Sequence, residues 1–265
     1  MRIVVLVKQV PDSTDVKIDP KTGTLVREGV AAVINPDDRL GLETALLLKD
    51  AAGAEVVAVS MGPPQAIDAL SEAYGMGADK GVLLSDRNFA GADTWSTSYT
   101  LGKAIEKIME DGPVDLVVAG RQAVDGDTAQ IGPQVAEHLG WPQITYINRL
   151  EFQDGKFIAW RALPSGEENV ECPAPAVVTV LGCPTAPRRP LVDRLLFACT
   201  PKAPLKVWDA VDIGVKADLT GLRGSPTQVV KTFSPKTQRE TQWLAGSPED
   251  QALALFSALK NHKLV

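Results

Sequence analysis

The residues best placed for chemistry lie in one stretch, Gly120 to Gln134, which reads Gly-Arg-Gln-Ala-Val-Asp-Gly-Asp-Thr-Ala-Gln-Ile-Gly-Pro-Gln. Arg121, Gln122, Thr128 and Gln130 are side-chain donors to an anion such as a phosphate, and Gly120 and Gly126 can take backbone angles that other residues resist. The preceding run, Val114 to Gly120, is apolar but for Asp115 and reads as a buried parallel strand. After it, Ile131, Val135 and Leu139 recur every four residues. That spacing predicts a helix beginning near Thr128, capped by Asp127 or Thr128 and ended by Gly140 before Trp141-Pro142. A strand, a glycine-bearing turn and a helix start make an anion site, because free backbone N–H groups and the helix dipole point the same way. Two carboxylates, Asp125 and Asp127, argue against a purely electrostatic site. They fit as a cap and as acceptors for ribose hydroxyls or backbone N–H groups. On spacing alone an ordinary βα turn lined with polar residues explains the stretch as well.

Two further segments belong to the same picture. Arg2 to Val7 is a β-branched first strand, and the polar turn Lys8-Gln9-Val10-Pro11-Asp12 follows at its carboxyl end. Parallel α/β sheets bind ligands at such ends, so the turn is either a wall of the site or a solvated loop. The loop Ser85 to Thr94 is unusually polar and leads to a helix over about residues 94–110. Thr94, Ser96, Thr97 and Ser98 crowd hydroxyls at that helix start, more than capping needs, which makes it a second candidate phosphate-facing end.

The elements that must position these residues alternate between strand and helix. Asp15 to Arg27 reads as a hairpin around Lys21-Thr22-Gly23. Asn35-Pro36-Asp37-Asp38 opens a helix closed by Gly53. Glu55 to Ser60 is a strand, Met61-Gly62-Pro63-Pro64 leads into a helix over residues 65–74, and Gly81 to Leu84 is a third strand. Gln143 to Phe152 and Lys156 to Ala162 alternate as an antiparallel pair turned at Asp154-Gly155. Glu168 to Cys172 is a candidate third member, and Ala176 to Leu181 returns to the core. Gly182 to Pro204 is proline-rich and carries an apolar patch, Leu191, Val192, Leu195, Leu196 and Phe197. The patch is either a partner site or a short helix packed on the domain. Residues 205–246 show little regular pattern, and Ser247-Pro248-Glu249-Asp250 starts a final helix with Ala252, Phe256 and Leu259 on one face. The expected organisation is therefore an α/β domain over residues 1–204 and an arm over 205–265. The arm is ordered against another subunit or folded back on its own domain.

Composition narrows the function. The chain has 265 residues, 45% of them hydrophobic, enough for one large α/β domain or for one domain plus an arm. A formal charge of −6 gives no support for nucleic-acid binding. Cys172, Cys183 and Cys199 lie far apart, without a CxxC pair, which excludes a disulfide framework and suits a reducing cytoplasm. The amino terminus does not read as a signal peptide, no window reaches membrane-spanning length, and two histidines are too few for a metal site. GxSxG, HExxH, the Walker lysine motif and GxGxxG are all absent, so any redox or group-transfer chemistry falls to a bound cofactor.

Val7-Lys8-Gln9-Val10-Pro11-Asp12, Asn35-Pro36-Asp37-Asp38, Met61-Gly62-Pro63-Pro64, the Gly120–Gln134 stretch and Trp141-Pro142-Gln143 together resemble the β subunit of electron transfer flavoproteins. The resemblance covers nearly the whole chain. It implies a core of the adenine-nucleotide α-hydrolase-like type, a three-layer parallel-sheet domain with a C-terminal arm. It also implies a heterodimer with an FAD-binding α subunit, and electron transfer between flavin dehydrogenases and an acceptor. Asp125-Gly126-Asp127-Thr128-Ala129-Gln130-Ile131 and the Ser85–Ser98 loop are similar to the anaerobic, electron-bifurcating branch. There FAD takes the place that AMP holds in respiratory members. By resemblance Leu6, Asn35, Asp38, Met61, Val118, Ala119, Gly120, Arg121, Gln122, Ala123, Val124, Asp125, Gly126, Asp127, Thr128, Ala129 and Gln130 contact the nucleotide. Lys8 stands in the same wall, and Asp93, Thr94 and Thr97 face the pyrophosphate or flavin. Pro187, Arg188, Leu191, Val192 and Leu195 correspond to the partner-recognition loop. The family's lysine-rich continuation is replaced by Phe197-Ala198-Cys199-Thr200-Pro201-Lys202, which points from a general acyl-CoA dehydrogenase toward a dedicated dehydrogenase or an iron–sulfur partner. A conventional AMP-holding carrier and a non-redox nucleotide sensor of the same fold are the alternatives.

Overall fold

The computed structural model describes residues 1–12, 31–231 and 241–265. The hairpin expected over Asp15 to Arg27 lies outside the described residues. The chain begins with β1 (Arg2–Leu6), β2 (Gln9–Pro11) and β3 (Ala32–Ile34), followed by α1 (Pro36–Ala52) and β4 (Glu55–Met61). A 3-10 turn over Pro64–Ala66 leads into α2 (Ile67–Met76), then β5 (Lys80–Leu84), α3 (Thr94–Glu110), β6 (Leu116–Gly120) and α4 (Ile131–Leu139). Next come β7 (Gln143–Gln153), β8 (Lys156–Leu163), β9 (Gly166–Pro173), β10 (Ala176–Val180), α5 (Val192–Ala198) and β11 (Leu205–Trp208). A single helical turn, α6 (Gly221–Gly224), and α7 (Pro248–Asn261) complete the described elements.

One nine-stranded sheet carries the fold, in the order β11-β5-β4-β1-β6-β10-β7-β8-β9. It is parallel from β11 to β7 and antiparallel through β8 and β9. Alternation in β1 divides the core between two faces. Ile3 and Val5 join Leu42, Leu46 and Leu70 of α1 and α2, while Val4 and Leu6 join Leu101, Ile105 and Val135 of α3 and α4. The α/β reading with a three-layer, mainly parallel sheet is thus the observed architecture. Strands β4 and β6 flank β1, and the helices that follow β1 and β6 lie on opposite faces. The sheet reverses its winding there, so the carboxyl ends of β1 and β6 mark the place where such sheets form a ligand crevice.

The domain runs further than residue 204. β11 adds an edge strand parallel to β5, and Leu205 sits so close to Gly81 that a Cβ there would lie 2.6 Å from its Cδ2. Ile213 and Thr220 beyond it are buried. The compact unit therefore ends near Val229, and residues 230–265 form a second one. A four-residue edge strand is held by backbone bonds, which leave no periodic trace in the side chains. Within the second unit, Ser247 and Asp250 close a reciprocal capping box on α7, and Leu253, Leu255 and Phe256 are exposed.

Candidate functional site

Gly120 ends β6 against the first turn of α1. A Cβ on it would lie 2.4 Å from Asp38 Oδ1 and 2.6 Å from the Asp37 carbonyl carbon, so glycine is required here for close approach. Neither Gly120 nor Gly126 takes a positive φ, contrary to the expectation. Asp127 (φ 52°) and Ala129 (φ 54°) do instead. These left-handed residues also explain why α4 begins only at Ile131, with Gln130 as an N-cap that makes no side-chain bond, rather than at Thr128. Asp127 caps nothing, because Gln122 Nε2 donates to its Oδ1.

Long-range contacts shape the turn from 121 to 130. Asn35, fully buried, does not cap α1. Its Nδ2 donates to the Gln122 carbonyl at 2.8 Å, and its Oδ1 accepts the Val124 amide at 3.0 Å. Lys8 Nζ donates to Asp125 Oδ1 at 2.6 Å, and the Lys8 amide donates to Asp38 Oδ2 at 2.8 Å. Arg121 Nε donates to Asp37 Oδ2 at 3.1 Å, and the Arg121 amide donates to the Val180 carbonyl. Both carboxylates of the turn, Asp125 and Asp127, are therefore held by protein donors. Beneath it, burial pushes the Asp38 carboxyl up to about 7, against bonds from Asn35 and the Lys8 amide and the attraction of the Lys8 ammonium.

The result is a backbone concavity. Among the described residues, the N–H groups of Thr128, Ala129, Gln130, Ile131 and Gly132 donate to no protein acceptor. Left-handed residues alternating with others are the backbone pattern of anion-binding concavities, and the start of α4 adds its dipole. The start of α3 adjoins it: Thr94 Oγ1 donates to Gln130 Oε1 at 3.0 Å and accepts from Gln134 Nε2 at 3.3 Å. Among the described residues, Gln134 Oε1 is buried without a partner.

The four-hydroxyl cluster of α3 divides. Ser96 and Ser98 are buried, donating to the carbonyls of Leu219 (3.2 Å) and Trp95 (2.8 Å), so they face the interior and not a ligand. Thr94 and Thr97 remain half-buried. Asp93 caps α3 by accepting the Ser96 amide at 3.0 Å, and its other oxygen accepts the Thr227 amide and hydroxyl. Burial raises this carboxyl, but those donors outweigh it and hold it below the usual range. Leu6, Val118 and Ala119 are core residues under the crevice, and Met61 ends β4 beside it. Sequence reasoning found Asn35, Lys8 and Asp93 but missed Gln134, Ser225 and Thr227. The last two carry no local signal, because their partner lies more than a hundred residues away.

The Pro187–Leu195 segment separates into anchors and a free face. Arg188 donates from its backbone and guanidinium to Glu43, which is buried, and reaches Asp50 Oδ2 at 2.8 Å. These carboxylates hold its pKa above the ordinary arginine value. Arg188 is thus committed to α1. Leu195 packs on Gly75, and Arg194 donates to the Tyr74 and Ala78 carbonyls while stacking on the Tyr74 ring. The expected short helix forms, and Leu191, Val192, Leu196 and Phe197 stay exposed beside it. Among the described residues, no group of three His, Cys, Asp or Glu side chains is arranged for a metal, and no helix is long and apolar enough to cross a membrane.

Comparison with known proteins agrees with this arrangement. The model of the electron transfer flavoprotein domain matches residues 22–201. The chain is 45% identical over the full length of both sequences to the caffeyl-CoA reductase-Etf complex subunit CarD of Acetobacterium woodii. It is 44% identical, again over all of both chains, to the electron transfer flavoprotein subunit beta of Thermoanaerobacterium thermosaccharolyticum. Identity to protein FixA of Azotobacter vinelandii is 42%, covering 97% of this chain and 92% of that one. The winding reversal of the sheet and full-length similarity to these subunits lead to one assignment: the chain belongs to the electron transfer flavoprotein family, as a β-type electron transfer subunit.

Proposed function

We propose that the crevice between β1 and β6 holds FAD, and that the chain pairs with an FAD-binding α subunit to pass electrons between a flavin dehydrogenase and a second acceptor by flavin-based bifurcation. The observation that carries this reading is the meeting of two helix starts. The free amides of residues 128–132 supply an anion seat at α4, and Thr94 brings the start of α3 against it through Gln130 and Gln134. One phosphate needs only the first seat, whereas a pyrophosphate uses both. That favours FAD over AMP.

The residues present suit an adenine nucleotide. Asn35 keeps the turn in one shape, Lys8 neutralises Asp125, and Gln122 engages Asp127, so the turn's carboxylates do not oppose a phosphate. When bound, the flavin supplies the electron-accepting ring. This chain's part is to bind and orient it and to set the charge around it, with Arg121 and Lys8 as the cations at the crevice. The exposed face of α5, formed by Leu191, Val192, Leu196 and Phe197, fits a redox partner, and Pro187, Arg188 and Leu195 hold that helix in place. The exposed Leu253 and Phe256 of α7 fit the α subunit. Similarity to a subunit of a caffeyl-CoA reductase complex supports a dedicated dehydrogenase partner. Three free cysteines suit a reducing cytoplasm.

The deciding experiment is to purify the chain with its α subunit and count flavin and AMP per heterodimer. Two FAD is the expected result. One FAD with one AMP makes this a conventional carrier, and no flavin at all in the presence of the α subunit removes both readings in favour of a nucleotide sensor.

A further inference from the structure

We infer that Ser225 and Thr227 form a latch between the root of the C-terminal arm and the anion-facing end of α3, so that a nucleotide held there and order in the root reinforce each other. The inference rests on the nucleotide reading of the crevice. Ser225 Oγ accepts the Asp93 amide at 2.8 Å and donates to the Gly221 carbonyl at 2.8 Å. Thr227 donates to Asp93 Oδ2 twice, from its amide at 3.0 Å and its hydroxyl at 2.8 Å. The approach to these bonds is itself closely fitted. The Leu222 amide donates to the Ala90 carbonyl at 2.9 Å, and a Cβ on Gly221 (φ 57°) would lie 2.2 Å from the Asn88 carbonyl oxygen. Thr227 is the last residue before Val229, where the first compact unit ends, that bonds to the α3 start.

Two physical effects link this latch to the crevice. Asp93 immediately precedes Thr94, which joins Gln130 and Gln134, so the cap's position sets where the start of α3 meets the turn. Asp93 is also an anion at the end where a phosphate would be held. One of its oxygens accepts the Ser96 amide and the other depends on Thr227. With Thr227 released, that oxygen loses its donors and repels an incoming phosphate. By reciprocity, a nucleotide that favours the closed α3 start must stabilise the latch by the same free energy. Asp93 and Thr227 are positioning residues in this scheme.

The test uses the complete complex with the α subunit, stripped of nucleotide, and ADP as probe. Hydrogen exchange at the amides of residues 221–229 should slow on ADP addition. Thr227→Val should weaken ADP binding by about fivefold, a modest coupling, while Thr227→Ser, which keeps the hydroxyl, restores it. Thr227 is exposed, so these substitutions leave the core intact. The latch is overturned if ADP binds the unaltered complex without changing exchange at 221–229, or if Thr227→Val binds ADP with unaltered affinity. Failure of the unaltered complex to bind ADP at all overturns the nucleotide reading, and the latch with it.

Discussion

The turn after β6 and the loop after β10 leave adjacent strands of one sheet, and each is tied to α1 by an arginine, yet the two ties differ. Arg188 meets two carboxylates, and Glu43 is only 4% exposed at its side chain. Arg121 meets Asp37 alone, with the arginine 34% and the aspartate 18% exposed. The first pair leaves a buried anion if it is broken; the second leaves groups that water can reach. One arginine therefore locks a loop whose outer face stays apolar and free. The other sits lightly at the mouth of the crevice, while Asn35 and Lys8 do the holding. What separates the two arginines is the burial of the carboxylate each finds.

Arg188→Ala should have the largest effect, a loss of about 3 kcal/mol, at the low end for a buried pair because Arg188 is itself partly exposed. Urea unfolding measures it, and a loss under about 1 kcal/mol would make the two ties equivalent after all. Gly120→Ala tests the packing under the turn. Its Cβ would run into the backbone of Asp37 and Asp38, so about 2 kcal/mol of destabilisation is expected, together with lost nucleotide retention after gel filtration. Normal stability and retention in that variant would mean that α1 and β6 separate at little cost.

Asp38 gives the comparison a pH axis. In the folded chain it titrates near 7 against 3.8 as its ordinary value, so between those limits the folded state holds a proton that the unfolded state releases. Stability therefore falls as pH rises from about 4 to 7, with a limiting slope of about 1.4 kcal/mol per pH unit from this group. Asp38→Asn should flatten that slope in unfolding curves taken at pH 5, 6 and 7; an unchanged slope places the buried proton elsewhere. The smallest effect belongs to Arg121→Ala, under about 1 kcal/mol in the same assay. A loss as large as that of Arg188→Ala would erase the difference between turn and loop.

Much of the scaffold was legible beforehand. The largely apolar runs at Arg2–Val7, Val114–Gly120 and Ala176–Leu181 contain strands because buried parallel strands face apolar layers on both sides. The capping box at Ser247 and the glycine ends at Gly53 and Gly140 are local chemistry, complete within a few residues. The candidate site was legible as a stretch but not in its conformation. Glycines suggested where φ would turn positive, and Asp127 and Ala129 took that role, because Gly120 was needed to let α1 approach. The serines of α3 read as ligand donors until Leu219 and Trp95 accounted for them.

The sequence by itself determined the alternation of strands and helices, the polar stretch after β6 and the family to which these motifs point, since each is written in neighbouring residues. The partner that each polar side chain takes follows from how the sheet and its helices pack. Lys8 finds Asp125, Asn35 clasps Gln122 and Val124, and Asp93 receives Thr227 across a separation of 134 residues. The physical reason is that hydrogen bonds and ion pairs depend on distance in space and burial, neither of which is periodic in sequence. Before the sheet closes, each of these groups bonds to water instead.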